Sequence, residues 1–191
     1  MTIFNSKEKV NSMNIVVYGC DNSGKTSLAN HIADKFKYEY VRSKGGPKMD
    51  LVEVLQYIHQ NLCAPEDKVF DRFTPIEEFA NGIALRNENR IATSFIDTSE
   101  FFRNVDLFIY ARPDMDTVKN FGEREQMDGI ISNIDQLRSL YDFYTNDKIF
   151  NSRPLYLFDW TKDPSYDKID QVLDLFIENH SNISTALGIQ F

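Results

Sequence analysis

The chain has 191 residues, 42% of them hydrophobic and 26% charged, with only 8 Gly and 6 Pro; this is the profile of one globular domain spanning 1–191, not of a disordered or collagenous chain. A formal charge of −8 makes the surface as a whole repel polyanions, so nucleic acid is disfavoured as a partner and any bound phosphate must be held by a local cluster. Apolar runs fall far short of the ~20 residues that span a bilayer, the N-terminus has no secretory pattern, and Cys20 and Cys63 make neither a disulfide framework nor a zinc site, so a reduced, cytoplasmic protein is expected.

Residues 1–12 are polar and read as a flexible arm. Asn14–Tyr18 is the first strand, and Leu28, Ile32 and Phe36 mark the inward face of the helix after it. A second strand is expected over Tyr38–Arg42 and a helix on Leu51, Val54, Leu55, Ile58 and Leu62, followed by a third strand over Lys68–Asp71. Val105–Tyr110 is the fourth strand. The polar stretch Asp114–Gln126, with Gly122, interrupts the alternation and makes 112–126 a candidate lid. Met127, Ile130, Ile131, Ile134, Leu137, Leu140, Tyr141 and Tyr144 then trace five turns of an amphipathic helix. Pro154–Phe158 is the fifth strand, and Ile169, Val172, Leu173, Phe176 and Ile177 face inward from a last helix. Strand and helix in alternation predict an α/β fold, a parallel five-stranded sheet flanked by helices, with ligands at the carboxyl ends of the strands.

Those strand ends carry the chemistry. Gly19-Cys20-Asp21-Asn22-Ser23-Gly24-Lys25-Thr26 fits G-x-x-x-x-G-K-[ST] between a strand and a helix. The two glycines let backbone amides wrap a phosphate chain with Asn22, Ser23 and Ser27 beside it; Lys25 reaches the terminal phosphates and Thr26 can ligate Mg²⁺. Asp21, an acid beside a phosphate nest, must face another group such as a sugar hydroxyl or a bound arginine. At the end of the third strand, Asp71 can orient a magnesium-bound water and Arg72 can fork onto a phosphate. Phe73 is a candidate for stacking a base, and Arg42, Asn81 and Arg86 are candidates for contacting the base or an acceptor phosphate. Cys20 is expected to be a buried, inert thiol, and His31, His59 and His180 share no catalytic spacing.

The segment GCDNSGKTS and the Asp71-Arg72-Phe73 triplet resemble the phosphate loop and the Asp-Arg-aromatic signature of thymidylate kinases and related deoxynucleoside monophosphate kinases. Arg42-Ser43-Lys44-Gly45-Gly46-Pro47 is loosely similar to their Arg-Glu-Pro-Gly-Gly segment, and Arg124 precedes the long helix as their lid arginines do. The resemblance spans about residues 14–160 and implies a P-loop kinase using ATP and Mg²⁺. Lys25, Asp71, Arg72 and Arg124 would then be catalytic and Arg112 would close on the nucleotide. The chain departs from the family at Ala80-Asn81, where a Tyr-Gln pair is usual, and at Glu77, where serine is common.

The leading expectation is transfer of the γ-phosphoryl group of ATP to a deoxynucleoside monophosphate, a pyrimidine nucleotide by resemblance, without a strong general base because an acceptor phosphate is already ionised. A small-molecule nucleotide is the expected partner, and a homodimer is compatible with this reading. One alternative keeps the kinase chemistry with a nucleoside or a modified DNA base as acceptor, Asp71 or Glu77 taking the hydroxyl proton. Another is a small regulatory GTPase, for which Thr161-Lys162-Asp163 is the nearest approach to a guanine-reading motif, its Asp one residue early.

Overall fold

A computed structural model describes residues 12–43, 49–94, 96–120, 134–146 and 155–186. Strands β1 (Asn14–Tyr18), β2 (Glu39–Arg42), β3 (Lys68–Asp71), β4 (Leu107–Ala111) and β5 (Leu155–Phe158) form one parallel sheet in the order β2-β3-β1-β4-β5. β1 is central, and the connections leaving β1 and β3 run to opposite sides of the sheet, which opens a crevice at their carboxyl ends.

Alternate strand residues point to opposite faces, and each face carries its own helical layer. Ile15, Val17, Val69, Leu107 and Ile109 pack with Leu28, Ala29 and Ile32 of α1 (Lys25–Phe36) and Ile169 and Leu173 of α8 (Asp167–Ala186). Val16, Tyr18, Phe70, Phe108 and Tyr110 pack on the other face with Leu55, Ile58 and Leu62 of α2 (Leu51–Leu62) and Leu137, Leu140 and Tyr144 of α7 (Ile134–Asn146). Between β3 and β4 the chain makes short pieces: α3 (Thr74–Asn81), a π-helical turn over Gly82–Arg86, α4 (Arg90–Ser94) and α5 (Ser99–Arg103); α6 (Met115–Asn120) follows β4.

The expected strands are present with shifted ends. β2 starts at Glu39 rather than Tyr38, because Lys37 takes a left-handed conformation (φ 61°) to end α1 and Tyr38 gives its N–H to Ala33 O. β4 runs from Leu107, since Asp106 turns its carboxylate to the Asn14 N–H at 2.8 Å. The long helix is described from Ile134 and reaches Asn146; its expected first two turns, the 121–126 part of the lid with Arg124, and arm residues 1–11 lie outside the described residues.

Asp163 shows how a loop residue fixes an element. It is buried and accepts N–H groups of Lys168 at 3.2 Å and Ile169 at 3.1 Å, supplying the partners that the first turn of α8 lacks internally. Asp163→Ala is expected to cost about 1–2 kcal/mol, at the upper end for a helix cap because two donors lose a buried acceptor. Chemical denaturation would show this as a lower midpoint with unchanged slope.

Candidate active site

The loop from Gly19 to Gly24 needs both glycines. A Cβ on Gly19 (φ 147°) would stand 2.6 Å from Ala111 O of β4, and one on Gly24 (φ 84°) would stand 2.9 Å from Cδ1 of Trp160. Gly24 caps α1 without a side-chain bond and no acid sits in the first turn. The leading amides of this 12-residue helix are therefore free of side-chain competition at the positive end of its dipole, a disposition suited to an anion.

A chain of charges links this loop to the end of β3. The Lys25 ammonium donates to Cys20 O at 2.9 Å and to Asp21 Oδ1 at 3.3 Å. Arg72 Nη2 donates to the same Asp21 oxygen at 3.0 Å, and Nη1 lies 3.5 Å from Glu77 Oε1. Arg72 has a positive φ of 73°, uncommon for a side-chain-bearing residue and of the sort that accumulates at functional sites. Burial disfavours its charge, but Glu77, Asp21 and Asp71 outweigh that and raise its pKa; burial also pushes the Glu77 carboxyl up, against the pull of Arg72. Tyr144 of α7 is within electrostatic reach of both, its phenol raised chiefly by burial.

Beside this chain, Asp71 Oδ2 accepts the Thr26 hydroxyl at 2.8 Å and the Tyr40 hydroxyl at 2.7 Å. Asp71 Oδ1 and Arg72 Nε are buried with no hydrogen-bond partner among the described residues, as are Ser23 Oγ and Asn22 Nδ2 in the loop. Buried polar atoms without partners are costly, and here they cluster where a polar ligand would satisfy them.

The structure therefore brings Asp21, Lys25, Thr26, Asp71, Arg72 and Glu77 together. Ser27 is exposed in the first turn of α1. Arg112 leaves β4 at the same edge of the sheet, its N–H on Phe158 O at 2.6 Å, and Arg42 ends β2 in register with Asp71. Asn81 is half-buried at the end of α3. One expectation is corrected. Phe73 is fully buried, with ring centroids 6.1 Å from Phe70, 5.9 Å from Phe102 and 6.5 Å from Phe108, so it has no face to offer a base. Arg86 donates to Glu78 Oε2 at 2.9 Å in a cluster where Arg90 engages both oxygens of Glu78 (2.8 and 2.7 Å).

Tyr40, which bonds Asp71, and Tyr144, within electrostatic reach of Arg72 and Glu77, join the site unforeseen. Tyr144 was hidden among the inward residues of its helix, and Tyr40 has the same strand parity as Arg42, the one signal that could have brought it forward.

Cys20 is buried in the loop, and burial pushes its thiol up to about 12. Thiolate is the reactive form, so Cys20 should stay unmodified by iodoacetamide at pH 8 in the folded protein and react once the chain is unfolded. Peptide mapping after timed alkylation checks this.

No family model and no curated protein matches the sequence. Solved structures do. The deoxyadenosine kinase from M. mycoides with bound dATP is 18% identical, with a TM-score of 0.58 over 85% of this chain and 100% of that one. The YorR protein from Bacillus subtilis, in complex with phosphorylated GDP, is 17% identical, with a TM-score of 0.62 over 88% of this chain and 98% of that one. At these identities the likeness shows a shared fold, a single α/β domain with a five-stranded parallel sheet flanked by helices.

Proposed function

We propose that this chain is a magnesium- and ATP-dependent kinase that phosphorylates a deoxynucleoside monophosphate, with pyrimidine nucleotides of the thymidylate type as the acceptor class. The observation that carries the reading is the 2.8 Å bond from Thr26 to Asp71, which joins the phosphate loop to the acid of β3 with Arg72 next to it. In this reading Gly19–Thr26 wrap the phosphates of ATP and Lys25 turns from Cys20 O and Asp21 to the terminal phosphates. Asp21 faces the sugar and Arg72 exchanges a carboxylate partner for the acceptor phosphate. Arg42, Glu77 and Asn81 border the acceptor, and Arg112 with Arg124 belongs to a lid over 112–126 that keeps water from the transfer.

Thr26 and Asp71 fit a magnesium ion: a hydroxyl and a carboxylate with a buried, unpartnered oxygen supply part of an oxygen set that phosphates and waters complete. When bound, that ion would neutralise charge on the phosphates. Asp71 would orient its waters, and Thr26 would hold the start of α1 against it. The reading takes 1–191 as one cytoplasmic kinase domain that acts on small molecules; among the described residues no helix is long and apolar enough to cross a membrane.

One observation favours a second reading, a nucleoside acceptor: Arg72 already has two carboxylates, Asp21 and Glu77, so the site is less cationic than a dianion prefers. The deoxyadenosine kinase with dATP is a neighbour of the same fold. The GTPase alternative loses its motif, since Asp163 caps α8 and Lys162 pairs with Asp159. ADP release from MgATP with deoxynucleoside monophosphates, ribonucleotides, free deoxynucleosides and a base-modified oligonucleotide as acceptors tests the assignment. A monophosphate should be fastest; a faster nucleoside transfers the assignment to the second reading.

A further inference from the structure

Tyr40 lies on the edge strand β2, half-buried against the apolar layer under α1. A phenol has one hydrogen to give, and it goes to Asp71 Oδ2 at 2.7 Å, the oxygen that also accepts Thr26 at 2.8 Å. The second oxygen, Oδ1, is buried with no partner among the described residues.

Aspartate χ2 is a broad torsion, so a carboxylate held by one hydrogen bond can swing through a range of orientations. Two donors from different elements, α1 and β2, remove that freedom. We propose that Tyr40 is a positioning residue: by pinning Oδ2 it makes Asp71 present Oδ1 to a magnesium ion or its waters. The inference rests on the kinase reading above and adds to it a residue outside the phosphate loop and the Asp-Arg pair.

Tyr40→Phe removes one oxygen and keeps the ring and its packing. Thermal melting, ATP affinity by equilibrium dialysis with and without Mg²⁺, and steady-state kinetics are measured on the parent and the variant. The melting temperature should fall by no more than roughly 2–4 °C, the cost of one hydrogen bond, and with metal-free ATP affinity unchanged the gain in ATP affinity on adding Mg²⁺ should shrink at least about fivefold. At the same time kcat should fall roughly 10–100-fold, the scale of losses when a partner of a metal ligand is removed, with acceptor KM within about twofold. A variant with the parent's magnesium gain and kcat overturns the proposal. So does one whose affinities fall equally with and without metal, because the hydroxyl would then support local structure and not the metal side of Asp71. A parent protein that neither binds ATP nor phosphorylates any acceptor overturns the kinase reading itself, and Tyr40's role with it.

Discussion

Lys25→Ala should lower turnover by roughly 10²–10³-fold or more while the protein stays folded, the loss typical of removing a preorganised charge from a transition state that gains negative charge there. The structural cost is modest. The ammonium is buried but among the described residues bonds only Cys20 O and Asp21, and Cys20 O keeps the Ser23 N–H at 3.4 Å. Losing these two hydrogen bonds is worth about 1–3 kcal/mol, a fall of roughly 2–12 °C in Tm for a chain of this size, offset in part because a buried charge goes with them. In the variant Asp21 retains Arg72 at 3.0 Å, so the acceptor side stays assembled. ADP release at saturating substrates and a thermal melt check both halves. Near-parental ADP release would remove phosphoryl transfer at this loop from consideration, and a melt that drops far more would assign Lys25 a structural role.

How much was legible in advance follows from how local each interaction is. Phosphate binding by a loop uses consecutive amides, two glycines and a lysine, so Gly19–Thr26 could be read from eight residues in a row, and the structure gives each glycine a close neighbour that excludes a Cβ. The acid and arginine after β3 were legible because strand ends at the carboxyl edge of a parallel sheet face the crevice. Whether Phe73 faces the crevice or the core is not legible in the sequence, because proximity to that edge does not fix direction: the positive φ of Arg72 turns the chain, and Phe73 returns to the cluster that holds Phe70. The partner of Arg86 is hidden for a related reason. Its partner Glu78 is eight residues away, about 12 Å along a regular helix and beyond the i+3 and i+4 neighbours that pair directly, and a π turn lies between them. Gly82 permits that turn, because a Cβ there would collide with Glu88 O. Tyr40 reaches Asp71 across a strand pair whose register the sequence does not state, and Tyr144 reaches the site only through the packing of α7 on the sheet.

The guanidinium of Arg72 is the group on which the acceptor assignment turns, and Arg72→Lys isolates its geometry from its charge. Arg72 presents Nη2 to Asp21 and Nη1 toward Glu77 from one rigid plane, with Nε buried and without a hydrogen-bond partner among the described residues. A lysine ammonium is a point donor on a flexible stem. It can satisfy one of these acids but cannot bridge both and still fork onto a phosphate. The backbone does not discriminate, since lysine accepts φ 73° no worse than arginine, so the fold should survive the change. Loss of one charged hydrogen bond is worth about 1.5–3 kcal/mol, or roughly 10–100-fold. At saturating ATP, kcat with the preferred monophosphate should fall by that factor and the acceptor KM should rise, whereas the ATP KM should stay within about twofold because Lys25 and the loop amides hold the donor. Steady-state kinetics with each substrate varied separate these effects. If the parent instead phosphorylates a nucleoside faster than any monophosphate and Arg72→Lys is fully active, Arg72 grips no acceptor phosphate. Its two carboxylates then describe its resting and working state alike, and the donor site at Gly19–Thr26 stands unchanged.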